Sequence, residues 1–148
     1  GGEANMSLLW MEHEPEFLHL VDTAFDHCQK EQAAYFDALP KHVQRIIYRD
    51  TRYNIDFLYT AYVLNDDKIM KDYASWLLRL MKSVLKDNLP EKTEDYVFRH
   101  FEHIRQAISE VILAEKQAAL FALIDCAQAG IREGDAVFPY RKRSVFAL

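Results

Sequence analysis

The run from Tyr48 to Leu80, YRDTRYNIDFLYTAYVLNDDKIMKDYASWLLRL, constrains the fold more than any other stretch of this chain. Its apolar residues recur every three to four positions, as on one face of a helix. Asn65-Asp66-Asp67 interrupts the pattern with three polar residues, which suit a turn and a helix start. The segment therefore predicts two amphipathic helices in a short helical hairpin. It contains no histidine or cysteine, which restricts the metal and thiol chemistry it could supply.

The same periodicity extends to both sides. Pro15, flanked by Glu14 and Glu16, suits the first turn of a helix, where a missing N–H and nearby negative charge both fit. Phe17, Val21, Ala24, Phe25, Cys28, Tyr35 and Phe36 follow at helical spacing, with Gln32 as a polar gap. Pro40 ends that helix and begins the next. Val43, Ile46, Ile47, Phe57, Leu58 and Ala61 mark the face of the second helix, and Asp50, Tyr53 and Asn54 fall on or beside it.

The third helix carries Ile69, Met70, Tyr73, Trp76, Leu77, Leu80, Met81 and Val84. Asn88-Leu89-Pro90 breaks the pattern. A fourth carries Val97, Phe101, Ile104, Ile108 and Val111. A fifth, continuous with it or bent from it, runs through Leu120, Ile124 and Ala127 to a C-cap at Gly130. The last stretch, from Ile131 to Leu148, adds Phe138 and Tyr140 and is expected to pack locally or against a partner.

Four glycines and four prolines in 148 residues are too few for the turns of an all-β fold. Half of the residues are apolar and the mean hydropathy is −0.24, as in globular proteins. The prediction is one all-α domain over residues 6–148, with about five or more helices. Gly1 to Asn5, ahead of Met6, read as a cloning remnant.

A net charge of −5 disfavours nucleic acid, whose binding needs a basic surface to displace counterions. The basic cluster Arg141-Lys142-Arg143 reads as a solvated tail. No apolar run approaches the ~20 residues that span a bilayer, and no signal peptide is expected. Cys28 and Cys126 both fall in helical patterns, so a cytoplasmic protein with reduced thiols is expected.

Chemistry-bearing motifs are sparse. His100 and His103, three apart, could share a helix face as a two-ligand metal site, but no second pair and no HExxH accompanies them. His13, His19 and His27 do not converge on one face. Neither a nucleophile elbow nor a glycine-rich phosphate loop occurs, and Asp66-Asp67 reads as a helix start; no enzymatic activity is expected. The polar intrusions around Asp50 and Asn54 leave two accounts open. One is a structural hydrogen-bond network, and the other is a pocket with a polar end.

Arg49-Asp50, Tyr53, Phe57-Leu58, Ala61 and Asn65-Asp66 occur in an order that resembles the phycobiliprotein branch of the globin superfamily. The bilin-bearing cysteine of that branch stands two residues before the arginine, where this chain has Ile47. A globin's iron ligand would come from the helix at about Asp67 to Lys86, which has no histidine. The resemblance therefore implies neither bilin nor haem.

From Met6 to Gly130 the chain is also similar to the small non-haem globin-like sensor-domain proteins of spore-forming bacilli, relatives of the input domain of a sporulation sensor histidine kinase. That resemblance implies a homodimer and a hydrophobic tunnel suited to a fatty acid, with a bound halide as an option. It also implies a role in inhibiting sporulation by titrating the kinase's signal.

A buried methylene is worth ~0.8 kcal/mol, so a sixteen-carbon chain could gain on the order of 10 kcal/mol before ordering costs. Apolar lining should then matter more to affinity than any single charge. By helical face, Tyr53, Asn54, Phe57, Tyr73, Trp76 and His100 are expected near the cavity, with Arg45 or Arg49 as the anion's partner. Two alternatives stand beside this expectation. The first is a dimeric helical interaction module without a ligand. The second is a haem or corrinoid carrier, although the chain has no Asp-x-His-x-x-Gly corrinoid motif.

Overall fold

The computed structural model describes residues 2–86, 89 and 91–133, with the backbone alone for residues 2–14 and 35. The described residues form six helices and no strand: α1 (Gly2–Glu31), α2 (Ala33–Phe36), α3 (Lys41–Leu64), α4 (Lys68–Leu85), α5 (Thr93–Val111) and α6 (Ala114–Glu133). The fold is an all-α bundle, as the periodicity predicts.

The hairpin of α3 and α4 forms where the polar triplet falls. Asn65 adopts the left-handed conformation (φ 52°, ψ 47°) that ends many helices, and asparagine tolerates it better than most residues. The Asp66 N–H donates to Ala61 O at 3.0 Å, closing the last turn of α3. Asp66 Oδ1 then accepts from the Lys68 N–H at 3.1 Å and starts α4. Asp67 occupies the N-cap without a side-chain cap bond.

Packing follows the apolar faces. The most extensive contacts are α4 on α6, α1 on α5 and α5 on α6, while α3 lies against α1, α4 and α6. Leu20 and Val21 of α1, Ile55 and Leu58 of α3, Met70 and Leu85 of α4, Phe101, Ile104 and Ile108 of α5, and Ile124 and Ile131 of α6 meet in one continuous core. Burying each large aliphatic or aromatic side chain contributes ~1.5–3 kcal/mol, so this core holds the bundle together.

Three expectations need correction. The first helix does not begin near Pro15 but runs through it from Gly2. Proline's fixed φ is helical, so the chain can continue through it, at the cost of the bond from residue 15 to the carbonyl four residues earlier and of crowding between that carbonyl and the ring. Gln32, the polar gap in the stripe, is buried where α1 gives way to α2, so the expected single helix over Phe17–Phe36 is divided there. Gly130 is not a C-cap but lies inside α6, where it lets the helix approach α4. A Cβ at Gly130 would stand 2.3 Å from the Lys71 carbonyl oxygen.

The fourth and fifth predicted helices are separate, divided by an extended residue at Ile112 (φ −93°, ψ 140°). The expectations on Asn88, Pro90, Phe138, Tyr140 and Arg141-Lys142-Arg143 lie outside the described residues, as do those on the side chains of His13 and Tyr35.

Candidate functional site

A small cavity lies between α3, α4 and α5, lined by Ile47, Asp50, Asn54, Leu77, Met81, Tyr96, Val97 and His100. Its volume of about 20 Å³ has room for one water molecule. Helical spacing explains the lining: Ile47, Asp50 and Asn54 fall one turn apart on α3, Leu77 and Met81 on α4, and Tyr96, Val97 and His100 on α5. Five of these eight groups are aliphatic or aromatic. Asp50, Asn54 and His100 give the cavity a polar side.

Asp50 is the unusual member. Its side chain is 10% exposed, and its Oδ2 has no hydrogen-bond partner. Arg49 Nε stands 3.8 Å from Oδ1, a loose ion pair whose arginine is largely solvated. Burial pushes the Asp50 carboxyl up to about 6, and the nearby Arg49 charge only partly opposes this. Asn54, by contrast, is satisfied, because its Oδ1 accepts the Tyr73 hydroxyl at 2.5 Å.

His100 is buried, and that burial, reinforced by the neighbouring His103, lowers its pKa to about 3. It is a neutral imidazole throughout the physiological range. Thr51 Oγ1 donates to the Ile47 carbonyl at 2.9 Å, so its lone pairs are left to accept from His100 Nε2 at 3.5 Å. That bond places the ring hydrogen on Nε2 and leaves Nδ1 with the lone pair.

Behind His100, away from the α3 wall, lies a second polar group. Ligand atoms of Cys28, His100 and His103 all stand within 4.8 Å of one another, and all three residues are buried. Cys28 Sγ donates to Gln32 Oε1 at 3.2 Å. Burial pushes the Cys28 thiol up to about 12, against the opposing effect of the Tyr96 hydroxyl. His103 Nε2 bonds to the Glu31 carboxylate, which Arg99 Nε also meets at 3.1 Å; Arg99 in turn pairs with Glu91. His103 Nδ1 is buried without a hydrogen-bond partner.

The residues expected from sequence divide sharply. Asn54 and His100 line the cavity. Tyr73 is buried one step behind it, held by Asn54 and stacked on Phe57 with ring centroids 4.0 Å apart. Trp76 lies beyond Tyr73, at a centroid distance of 6.0 Å. Phe57 and Trp76 pack against the core from its margin and are not in the cavity wall.

Tyr53 is 40% exposed and lies beneath the Arg49 guanidinium, which stands 5.9 Å from its ring. Arg45 is exposed, and Arg49 faces solvent beside Asp50. Neither arginine lines the cavity, because both fall on the outer face of α3. The expected anion partner is thus replaced by a carboxyl group.

Sequence reasoning missed Asp50 as the cavity's polar terminus, although it singled the residue out as an intrusion. It also missed Cys28 as a neighbour of the His100-His103 pair. A helical i, i+3 spacing announces the histidines, but residues 28 and 100 are brought together only by the packing of α1 on α5. Against known protein families, curated proteins and solved structures, the chain has no match. Among the described residues no helix is long and apolar enough to cross a membrane.

Proposed function

We propose that this chain is a non-enzymatic sensor domain and that its signal enters the core at the cavity between α3, α4 and α5. The observation that carries this reading is the buried Asp50 carboxyl, with one oxygen unpartnered, on the polar side of a mostly apolar cavity. An unmet buried polar atom costs about 1–3 kcal/mol. A ligand or water that supplies its hydrogen bond recovers that cost.

The resemblance to non-haem globin-like sensor domains extends the proposal. In that reading the bundle is globin-like and homodimeric, the ligand is a fatty acid or similar apolar molecule, and sequestering it lowers the signal reaching a sensor histidine kinase and inhibits sporulation. A cavity of about 20 Å³ is far below the ~300 Å³ of a typical ligand pocket. A long acyl chain would therefore enter only as Leu77, Met81 and Val97 move apart. The protonated form of such an acid would hydrogen-bond Asp50, whereas its carboxylate would be repelled.

The small cavity favours one other reading, a dimeric helical interaction module whose core is filled by its own side chains. Gentle solvent extraction of the purified protein, followed by mass spectrometry, separates the two. Recovery of about one fatty acid per chain supports the sensor. A protein that yields no lipid and binds none when palmitate is added overturns it in favour of the interaction module.

A further inference from the structure

We propose that Cys28, His100 and His103 form a metal site for Zn²⁺, completed by Gln32 and braced by Glu31 and Thr51. The ligand set is one sulfur and two imidazoles, whose ligand atoms already lie within 4.8 Å of one another. All three side chains are at most 6% exposed, so they were brought together by the packing of α1 against α5. A borderline-soft d¹⁰ cation is the natural partner of a thiolate with neutral imidazoles.

The surroundings match what such ions require of their supporting groups. A metal-ligating histidine nearly always gives its other ring N–H to a carboxylate or similar acceptor, which fixes the tautomer. Here His103 Nε2 is held by Glu31, and its buried Nδ1 has no hydrogen-bond partner. His100 Nε2 is held by Thr51 Oγ1, which likewise leaves Nδ1 as the lone-pair nitrogen. Each histidine thus has its Nε2 engaged by a supporting group, and the proposal assigns the metal to Nδ1 of each ring.

A purely structural cluster explains these facts less well, since it leaves the buried His103 Nδ1 without a partner. Bonds of about 2.0 Å to nitrogen and 2.3 Å to sulfur put the nitrogen and sulfur atoms of a tetrahedral site about 3.3–3.5 Å apart, so a set spread over as much as 4.8 Å must contract by up to about 1.5 Å. Gln32 Oε1, 3.2 Å from Cys28 Sγ, becomes free to serve as the fourth donor once the thiol gives up its hydrogen.

Binding is balanced in charge and protons. Cys28 enters as the thiol and releases one proton to solvent as the S–Zn bond forms, and a bound dication deprotonates a coordinating thiol outright. The ion, the thiolate and the charges of Glu31, Arg99 and Glu91 together are neutral. Glu31, half exposed, lies at the outer end of the cluster.

The test uses the full chain in a Cys126→Ser background, so that Cys28 is the one remaining thiol. The protein is stripped with chelator, loaded with Zn²⁺ alone, dialysed and assayed for bound metal. Retention of about one Zn²⁺ per chain is expected, falling at least tenfold in Cys28→Ala and in His103→Gln. Co²⁺ loading of the Cys126→Ser protein should give a thiolate-to-metal charge-transfer band, and Zn²⁺ should block alkylation of its Cys28 in mild urea. These two readouts remain informative where a variant fails to fold.

Two results would overturn the site: failure to retain Zn²⁺ with no cobalt–thiolate band, or retention unchanged in folded Cys28→Ala. Neither depends on recovery of a lipid, so this inference and the sensor reading fail separately.

Discussion

Tyr73 on α4 donates its hydroxyl to Asn54 Oδ1 on α3 at 2.5 Å, in an interior where both residues are almost wholly buried. This bond joins the two arms of the hairpin directly behind the cavity. Tyr73→Phe should leave Asn54 Oδ1 unsatisfied and lower unfolding stability by about 1–3 kcal/mol, with little change in denaturant slope. The double variant Tyr73→Phe/Asn54→Leu removes both partners and should recover much of that loss. Equal destabilisation in single and double variants would show that the bond itself matters little.

Asp50 predicts a specific pH dependence. Its carboxyl is raised from 3.8 in the unfolded chain to about 6 in the fold, chiefly by burial. Between those values the folded state holds a proton that the unfolded state has lost. Stability from this group is therefore fully present below about pH 4 and is lost as pH rises through about 6. The change is on the order of 2–3 kcal/mol at most.

The neutral, buried His100 pulls in the opposite direction, costing stability as pH falls below the unfolded value of 6.5. Tyr96 also borders the cavity, and Arg49 offsets part of the Asp50 shift. For this reason the measurement is the stability difference between wild type and Asp50→Asn in chelator-treated buffer. That difference should shift in favour of Asp50→Asn between pH 4 and 6.5. A flat difference would mean that the carboxyl is not buried in solution.

The helices were legible because their signal is local. Three- and four-residue spacing of apolar side chains around Tyr48–Leu80, with the Asn65-Asp66-Asp67 turn, is enough to place α3 and α4. Pro15 and Gly130 misled for the same local reason. Each is a common terminal residue, and only long-range packing shows that Gly130 is needed for contact with Lys71. The site was half legible. Asn54 and His100 fall on inward faces, but Arg49 and Tyr53 lie one position away from Asp50 and Asn54, a rotation of about 100°, and that turns them to solvent. The proximity of Cys28 to His100 has no sequence signal at all.

Filling the cavity tests whether it receives a ligand. Val97 lines it and is buried, and Val97→Ile adds one methylene, close to the about 20 Å³ on hand. The ligand-free protein should gain about 0.5–1 kcal/mol from the extra apolar burial. If the cavity is where the acyl chain enters, affinity for palmitate should fall about fivefold or more, in line with ~1 kcal/mol for a misplaced methylene. Thermal melts and displacement of a fluorescent fatty acid read the two effects separately. Raised stability with unchanged affinity would move the ligand site elsewhere.

Gly130 offers the sharpest prediction about the fold. On an exposed helix, replacing glycine with alanine would stabilise by up to ~1 kcal/mol through backbone entropy. At Gly130 the new methyl would meet the Lys71 carbonyl oxygen at 2.3 Å, a backbone atom within α4 that no side-chain rotation can move aside. Separating α4 from α6 opens one of the largest packing contacts in the bundle, and overpacking of this kind costs about 1–3 kcal/mol. The steric term should outweigh the helix preference, so Gly130→Ala should be less stable by about 1–2 kcal/mol. Ala129→Gly, at an exposed neighbour, provides the control, because it should lose stability through backbone entropy alone. Urea midpoints for the two variants check this, and a Gly130→Ala protein more stable than wild type would refute the close approach of α6 to Lys71.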